Sequence, residues 1–435
     1  MSSSKNSEEN HFDVVVLGAG ISGLVCASVL ARRKPQRILI IEEYSHVGGN
    51  HLDWSWDDYT FDIGSLIFQD DSPLLAHFPQ LLDLYVPITP EWARLNPQGS
   101  VTAYPISIRD DILGGGAAVF LKIIASVIYA RIFQRRMHNA RDFARFWIGG
   151  FLLGRSGLES YMERFYGVPV EEIDIDLAKK RMLWISEHAS LRNVLRRIFK
   201  SHKSGPTNRQ LARPQTGFVT LYDAAVKELN LLGVQVELST AITSISRLED
   251  KLSLRLDHQT ITADRVISTI PIYKAQKFCG IEPKQQLETS SLIGLFFSFE
   301  GERGFAQSII YNFSHKGNWK RLTMYSDFYG CVRGRQYFGV EVIVRHGDGS
   351  VEVAHSKFIE HVHENRLFKG DLKLEGGMTL DHAYPVYKKG AAQVAEDAIG
   401  ELRMFGIESL GRQGGFNYQP TARASTVEAE AALAN

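Results

Sequence analysis

The stretch Phe12–Asn50, FDVVVLGAGISGLVCASVLARRKPQRILIIEEYSHVGGN, decides the fold of this 435-residue chain. Four β-formers, Val14 to Leu17, run into Gly18-Ala19-Gly20, and apolar residues then fall at helical spacing through Leu24, Ala27 and Leu30. A second apolar run, Ile38 to Ile41, ends on Glu42. Strand, glycine turn, helix, strand and acid, in that order, make a dinucleotide-binding βαβ unit. Gly18 permits the tight turn, Gly20 leaves room for the backbone to approach a pyrophosphate, and Gly23 lets the helix lie close on the strand. The helix start, at Ile21 and Ser22, offers free N–H groups and a positive dipole end to the phosphates. Glu42 lies 19 residues after Gly23, where a carboxylate accepts both ribose hydroxyls and disfavours a 2′-phosphate.

The loop after Glu42 and Glu43 narrows the choice of dinucleotide. Gly48 and Gly49 sit just past the second strand, where a nicotinamide site needs no glycine and a longer flavin dinucleotide does. The pattern GxGxxG, acid, Gly-Gly resembles the FAD-binding end of the amine oxidase, protoporphyrinogen oxidase and phytoene desaturase group. The words HVGGN, ending on Asn50, also resemble the same loop in UDP-galactopyranose mutases. Near the other end, GRQGGFNY (411–418) resembles the second FAD signature of that group.

The resemblance implies FAD as cofactor and assigns roles along the chain. Gly64, Ser65 and Leu66 would pass near the isoalloxazine ring, with Asp62 just before them. Ile242 would supply a backbone clamp on the adenine. Gly411 and Arg412 would approach the pyrophosphate, with Tyr418 closing the phrase. A last helix, starting near Thr421-Ala422, would aim its N-terminus at the flavin O2 and favour a reduced, anionic flavin.

Composition sets outer bounds. Hydrophobic residues are 44% and charged residues 23%, ordinary for a soluble globular chain of two or three domains. The formal net charge is zero, which gives no field for nucleic acid. Three scattered cysteines form neither a disulfide framework nor a zinc spacing, which suits a reducing cytosol; no metal is expected. We therefore expect a cytoplasmic protein. Ala117 to Phe133 is strongly apolar but short for a span and interrupted by Lys122 and Arg131. The bland reading is a buried helix. The sharper one is a peripheral membrane contact over 117–136, with Arg131, Arg135 and Arg136 meeting anionic headgroups.

The expected architecture is α/β (α+β overall): a Rossmann-type FAD-binding domain, an antiparallel β substrate domain and a helical insert. The FAD domain is discontinuous, over 12–85, 215–275 and 396–435, after a disordered tail at 1–11. Residues 86–105, with a turn at Pro97-Gln98-Gly99, join 276–395 in an antiparallel roof. Residues 106–214 form the helical subdomain, ending in a basic stretch from Leu191 to Pro214 read as a solvated loop or as a lid that attracts an anionic substrate. Within the insert, RFYGVPVEEID resembles a "WG-x-P-x-E-I" passage of the group's substrate domain, with Tyr166 in place of the tryptophan.

Two chemistries share this cofactor. A flavin ring takes a hydride or donates electrons itself, so the protein supplies placement and electrostatics. The first reading is an FAD-dependent oxidoreductase (oxidase, dehydrogenase or desaturase type) acting on a small molecule, which the basic stretch suggests is anionic. The alternative resembles UDP-galactopyranose mutase, a non-redox isomerisation of a nucleotide sugar through reduced FAD. For the catalytic set the resemblance points to Arg321, at a diphosphate-binding arginine, to Tyr384, which with Arg412 matches positions near the sugar diphosphate, and to Tyr166. The chain departs from the mutases where Gly64 to Gln69 replaces Gly-Pro-His-Ile-Phe-His, losing both histidines, and where Ile185 replaces a second arginine.

Overall fold

Strands buried on both faces belong to parallel sheets covered on both sides, and β1 (His11–Leu17) is one. In the computed structural model, which describes residues 10–64, 67–106, 108–181, 208–345 and 347–434, Val15, Val16 and Leu17 are fully buried. β1 pairs in parallel with β2 (Ile38–Ile41) on one side and with Thr260–Ser268 on the other. The crossover between β1 and β2 is α1 (Ile21–Arg33), nine of whose thirteen residues are buried. Val234–Glu237 extends the sheet in parallel beyond β2, and Ile407–Ser409 adds a parallel strand beside Thr260–Ser268. Ile242–Leu248 and Lys251–Leu256 complete it as an antiparallel meander.

The second sheet runs, edge to edge, Phe368–Pro385, Thr289–Arg303, Gln336–Arg345, Trp319–Met324, Ile309–Asn312, Trp92–Leu95 and Val101–Ala103. This is the expected roof with one correction: Trp92–Leu95 pairs in parallel with Ile309–Asn312, so the sheet is mixed. These strands come from distant passes of the chain, and no hairpin dictates their direction. A helix absent from the expectation, Val351–Asn365, covers one face of the sheet through Ala354, Phe358 and Val362. The hairpin His51–Trp56/Tyr59–Gly64 packs on the other face, where Phe61 stacks on Phe296 with centroids 4.9 Å apart.

The helical insert departs from expectation in three places. The helix Gly116–Phe133 is not buried: only Ile123 and Ala130 are, because among the described residues the element packed along its length is Ala140–Ser156. Gly149, with φ +76°, permits that approach, since a Cβ there would lie 2.9 Å from the Val127 nitrogen. Next, Gln210–Ala212 is a strand, paired with Phe68–Gln69 and Val86–Ile88, so the end of the insert belongs to a small third sheet. Last, Arg213 of the supposed solvated stretch is fully buried against Asp62, which is thereby taken from the flavin loop into a structural ion pair. The remainder of that stretch, from Arg192 to Lys203, lies outside the described residues, as do Ile185 and residues 1–9 of the tail; His11 already pairs with Thr262 in β1.

Candidate active site

Three backbone segments converge at the carboxyl ends of the parallel strands, where open α/β sheets bind ligands. The first is the glycine turn. A Cβ on Gly23 would sit 2.0 Å from the Gly18 carbonyl oxygen, so the helix can lie on the turn only without a side chain there. The second is Gly48-Gly49: Gly20 bridges Gly48, whose N–H donates to the Ala19 carbonyl at 2.9 Å. The third comes from the far end of the chain. A Cβ on Gly411 would lie 2.8 Å from the Ser22 hydroxyl, so the two signature segments touch.

This floor suits a dinucleotide. The first turn of α1 carries no acidic residue, and Gly20 places no side chain over its N–H groups, leaving them open to an anion. Glu42 stands at the end of β2, accepting the N–H of Ala19 at 2.8 Å and of Tyr44 at 3.1 Å. Each of its oxygens retains a lone pair for a ribose hydroxyl. Burial raises its pKa, against the pull of those two N–H donors. Glu43 points elsewhere, to an ion pair with Lys274 on the surface. Ile242 opens its strand two residues after Thr240, whose N–H donates to the Glu42 carbonyl at 3.0 Å.

Beyond the floor opens a cavity of about 250 Å³, lined by Gly64, Arg412, Thr421 and Ala422 on one side and by Lys320, Arg321 and Tyr384 from the second sheet on the other. Asn50 and Arg412 both donate to the Ala383 carbonyl, locking the three regions together. Arg321 donates to the Gly64 carbonyl and pairs with Glu341, which also holds Lys320 at 2.9 Å. The Tyr384 ring lies between two cations, with Lys320 at 5.2 Å and Arg412 at 4.5 Å from its centroid. Burial alone would lower the Lys320 pKa, but Glu341 and the Tyr384 hydroxyl outweigh it and leave it raised. Burial likewise works to raise the Glu341 pKa, and Arg321 and Lys320 overcome it and hold the carboxylate ionised. Two cations against one carboxylate leave this wall positive.

Lys320 was missed in the sequence because neighbours along a strand point to opposite faces. A register shift between Trp319 and Arg321 breaks that alternation and brings both cations to the same cavity. Gln419 was also missed. It is 4% exposed, lines the cavity, and neither its amide nitrogen nor its oxygen has a partner among the described residues. A buried carboxamide left so costs stability unless a ligand completes it, which suits a ring presenting both donor and acceptor. His51, a third omission, lines the cavity and shares a hydrogen with the Tyr222 hydroxyl. Burial, helped by the Arg412 charge, pushes its pKa down to about 3, so it is neutral at pH 7.

Of the expected catalytic set, Arg321 and Tyr384 line the cavity and Tyr166 does not. The preceding residue, Phe165, takes the wall beneath Lys320, and Tyr166 packs behind it at 4.9 Å, edge-on, and against Tyr418. On a helix, successive residues turn by a quarter circle or more, so only one of the pair faces the cavity. Tyr418 lines the cavity itself, and Thr421 caps the Ala422–Ala432 helix by accepting from the Ala424 N–H at 3.2 Å. Ser65 and Leu66 lie outside the described residues.

Comparison with known proteins gives matches in both sequence and fold. A family model described as "NAD(P)-binding Rossmann-like domain" matches residues 16–81, and one described as "flavin containing amine oxidoreductase" matches residues 192–332. A 68-residue stretch is 50% identical to UDP-galactopyranose mutase of Mycoplasma genitalium, covering 16% of this chain and 15% of that protein. A 63-residue stretch is 41% identical to the chloroplastic prolycopene isomerase of Arabidopsis thaliana, covering 14% and 10%. The chain thus matches only 10–15% of these relatives' length. Among solved structures, reduced UDP-galactopyranose mutase aligns with a TM-score of 0.75 at 15% identity, over 97% of this chain and 96% of that one. An Exiguobacterium protein described as a protoporphyrinogen oxidase aligns with a TM-score of 0.73 at 16% identity, over 96% and 97%. At such identities the likeness is one of fold.

Proposed function

We propose that this chain, which matches the flavin containing amine oxidoreductase model over residues 192–332, is an FAD-dependent oxidoreductase acting on a small anionic molecule held over the flavin. The observation that carries the reading is a positive wall, Lys320 and Arg321, facing Arg412 and the start of the Ala422–Ala432 helix in a cavity that opens beyond the dinucleotide floor. Among the described residues, no carboxylate lines this cavity, and its histidine is neutral and tied to Tyr222. Acid–base side chains are thus few, and the chemistry falls to the cofactor: when bound, FAD would take a hydride or an electron pair from the substrate.

The chain's own residues do the rest. The α1 N-terminus and Glu42 would hold the pyrophosphate and the ribose. The start of the Ala422–Ala432 helix and the Gln419 carboxamide would fix the ring, and Lys320 and Arg321 would anchor the anion. Tyr384, Phe165 and Tyr311 would exclude water around the reacting carbon.

A second reading, a mutase-like isomerisation of a nucleotide sugar, is favoured by Arg321 and Tyr384 standing together in the cavity. One set of measurements tests both. The purified protein should be yellow and release FAD on denaturation; a colourless protein with no releasable flavin overturns both readings. Anaerobic mixing with anionic amine or polyene acids should bleach the flavin. Turnover of a UDP-sugar only after photoreduction, with no bleaching by any donor, would replace the first reading with the second.

A further inference from the structure

We propose that the Gly116–Phe133 helix is the docking face of this protein on an anionic lipid bilayer, lying in the plane of the headgroups. The helix is apolar on every side, with mean hydropathy 1.8, yet only 11% of it is buried. An all-round apolar helix is normally enclosed. Here the inward stripe is Ile123, Ala130 and the partly buried Val119 and Val127, and the rest of the circumference faces out. Leu121 is 63% exposed, Ile128 53%, Ile132 52% and Phe133 70%.

Charge identifies what covers that face. From Ile112 to Arg141 the chain carries five Lys or Arg (Lys122, Arg131, Arg135, Arg136, Arg141) and no Asp or Glu, in a protein whose net charge is zero. Four of the five have partners within the insert: Lys122 lies over the Phe151 ring at 6.0 Å, Arg131 over the Trp147 ring at 4.7 Å, Arg135 donates to the Arg131 carbonyl at 3.1 Å, and Arg141 pairs with Glu159 and Glu171. Lys122, Arg135 and Arg136 are exposed beside the apolar face. Exposed leucine and isoleucine flanked by cations, with no anion between, match acyl chains beneath acidic headgroups.

The orientation follows from the two ends. Asp111, just before the helix, is held in a buried ion pair by Arg94 of the second sheet. Just after it, Asn139 bridges Asp174, and the Ala140 N–H donates to the Ile173 carbonyl at 3.1 Å. Both ends therefore return to one body, and Ala140–Ser156 packs along the length between them. A crossing helix of about 27 Å would put its two ends on opposite sides of the bilayer, whereas both ends here are tied to the same body. The helix lies on the bilayer and does not cross it.

The test is sedimentation of the full chain with phosphatidylcholine vesicles, with and without phosphatidylglycerol. Binding is expected to the anionic vesicles and to fall with added salt. It should weaken by roughly tenfold or more in Arg135→Glu/Arg136→Glu, at about fivefold per charge near the surface. A comparable loss is expected in Leu121→Gln/Ile128→Gln/Ile132→Gln. Both variants change exposed positions, and unaltered thermal unfolding shows that the fold is intact. Equal binding by wild type and folded variants overturns the proposal. So does absence of binding with a dimer protected from hydrogen exchange over 117–133, which would assign the face to a second copy. Resistance of the vesicle-bound protein to alkaline extraction would mean a span and overturns it as well.

Discussion

In the floor below the cavity Gly23 and Gly411 leave no space for a Cβ, whereas in the cavity wall Lys320 and Arg321 are held by Glu341 buried behind them. The floor holds its ligand with main chain and a helix end, and its specificity lies in what has been removed. The wall works through long side chains whose charges must balance one another. A floor so built serves any dinucleotide of the right length, while a wall so built can be retuned one residue at a time. On the proposed reading, cofactor and substrate selection would fall to different chemistry in adjoining parts of one site.

The largest effect is expected where the floor is filled. Gly23→Val forces the helix from the Gly18 carbonyl and should cost more than about 4 kcal/mol, with loss of flavin, read by thermal unfolding and by the visible spectrum. A folded, yellow Gly23→Val protein would erase the distinction between floor and wall. Next is Glu341→Ala, which leaves Lys320 and Arg321 as unbalanced buried cations. Urea unfolding should show a loss of about 3–5 kcal/mol, and the folded fraction should still bind FAD, since no part of the floor is touched.

The smallest effect concerns His51, between the two regions. Its folded pKa of about 3 lies below the ordinary 6.5, so the unfolded chain binds the extra proton. Stability from this group is complete above pH 6.5 and falls as pH drops from there towards 3, by about 1.4 kcal/mol per pH unit. His51→Gln, which can still bond Tyr222, should lose that slope. Identical slopes in the two proteins would mean that the imidazole is protonated in the folded state.

The floor was legible in the sequence because its requirements are local. Gly18, Gly20, Gly23 and Glu42 fall within one βαβ unit, and their spacing states their job. The wall was legible only in part. Arg321 and Tyr384 were found through resemblance, but Lys320 depends on an irregularity in strand register, and Gln419 on burial that no spacing announces. Asp62 and Arg213 misled for the same reason. Asp62 reads as part of a flavin loop and Arg213 as part of a solvated stretch, and their mutual pairing across 151 residues of sequence makes them core. The Gly116–Phe133 helix shows the converse failure: composition announces an apolar helix without saying whether the fold supplies a partner for it.

The contact between Ser22 and Gly411 also sets a timetable. β1, α1 and β2 leave the ribosome early, yet the turn they form lacks one side until Gly411 arrives, and the helix that lies over α1 ends only at Ala432. Nascent chains are thus committed to carrying an open cofactor cleft through most of their synthesis. Flavin capture becomes a step that waits for Gly411, and a ribosome-stalled chain ending at Phe405 should retain no flavin when passed over a desalting column.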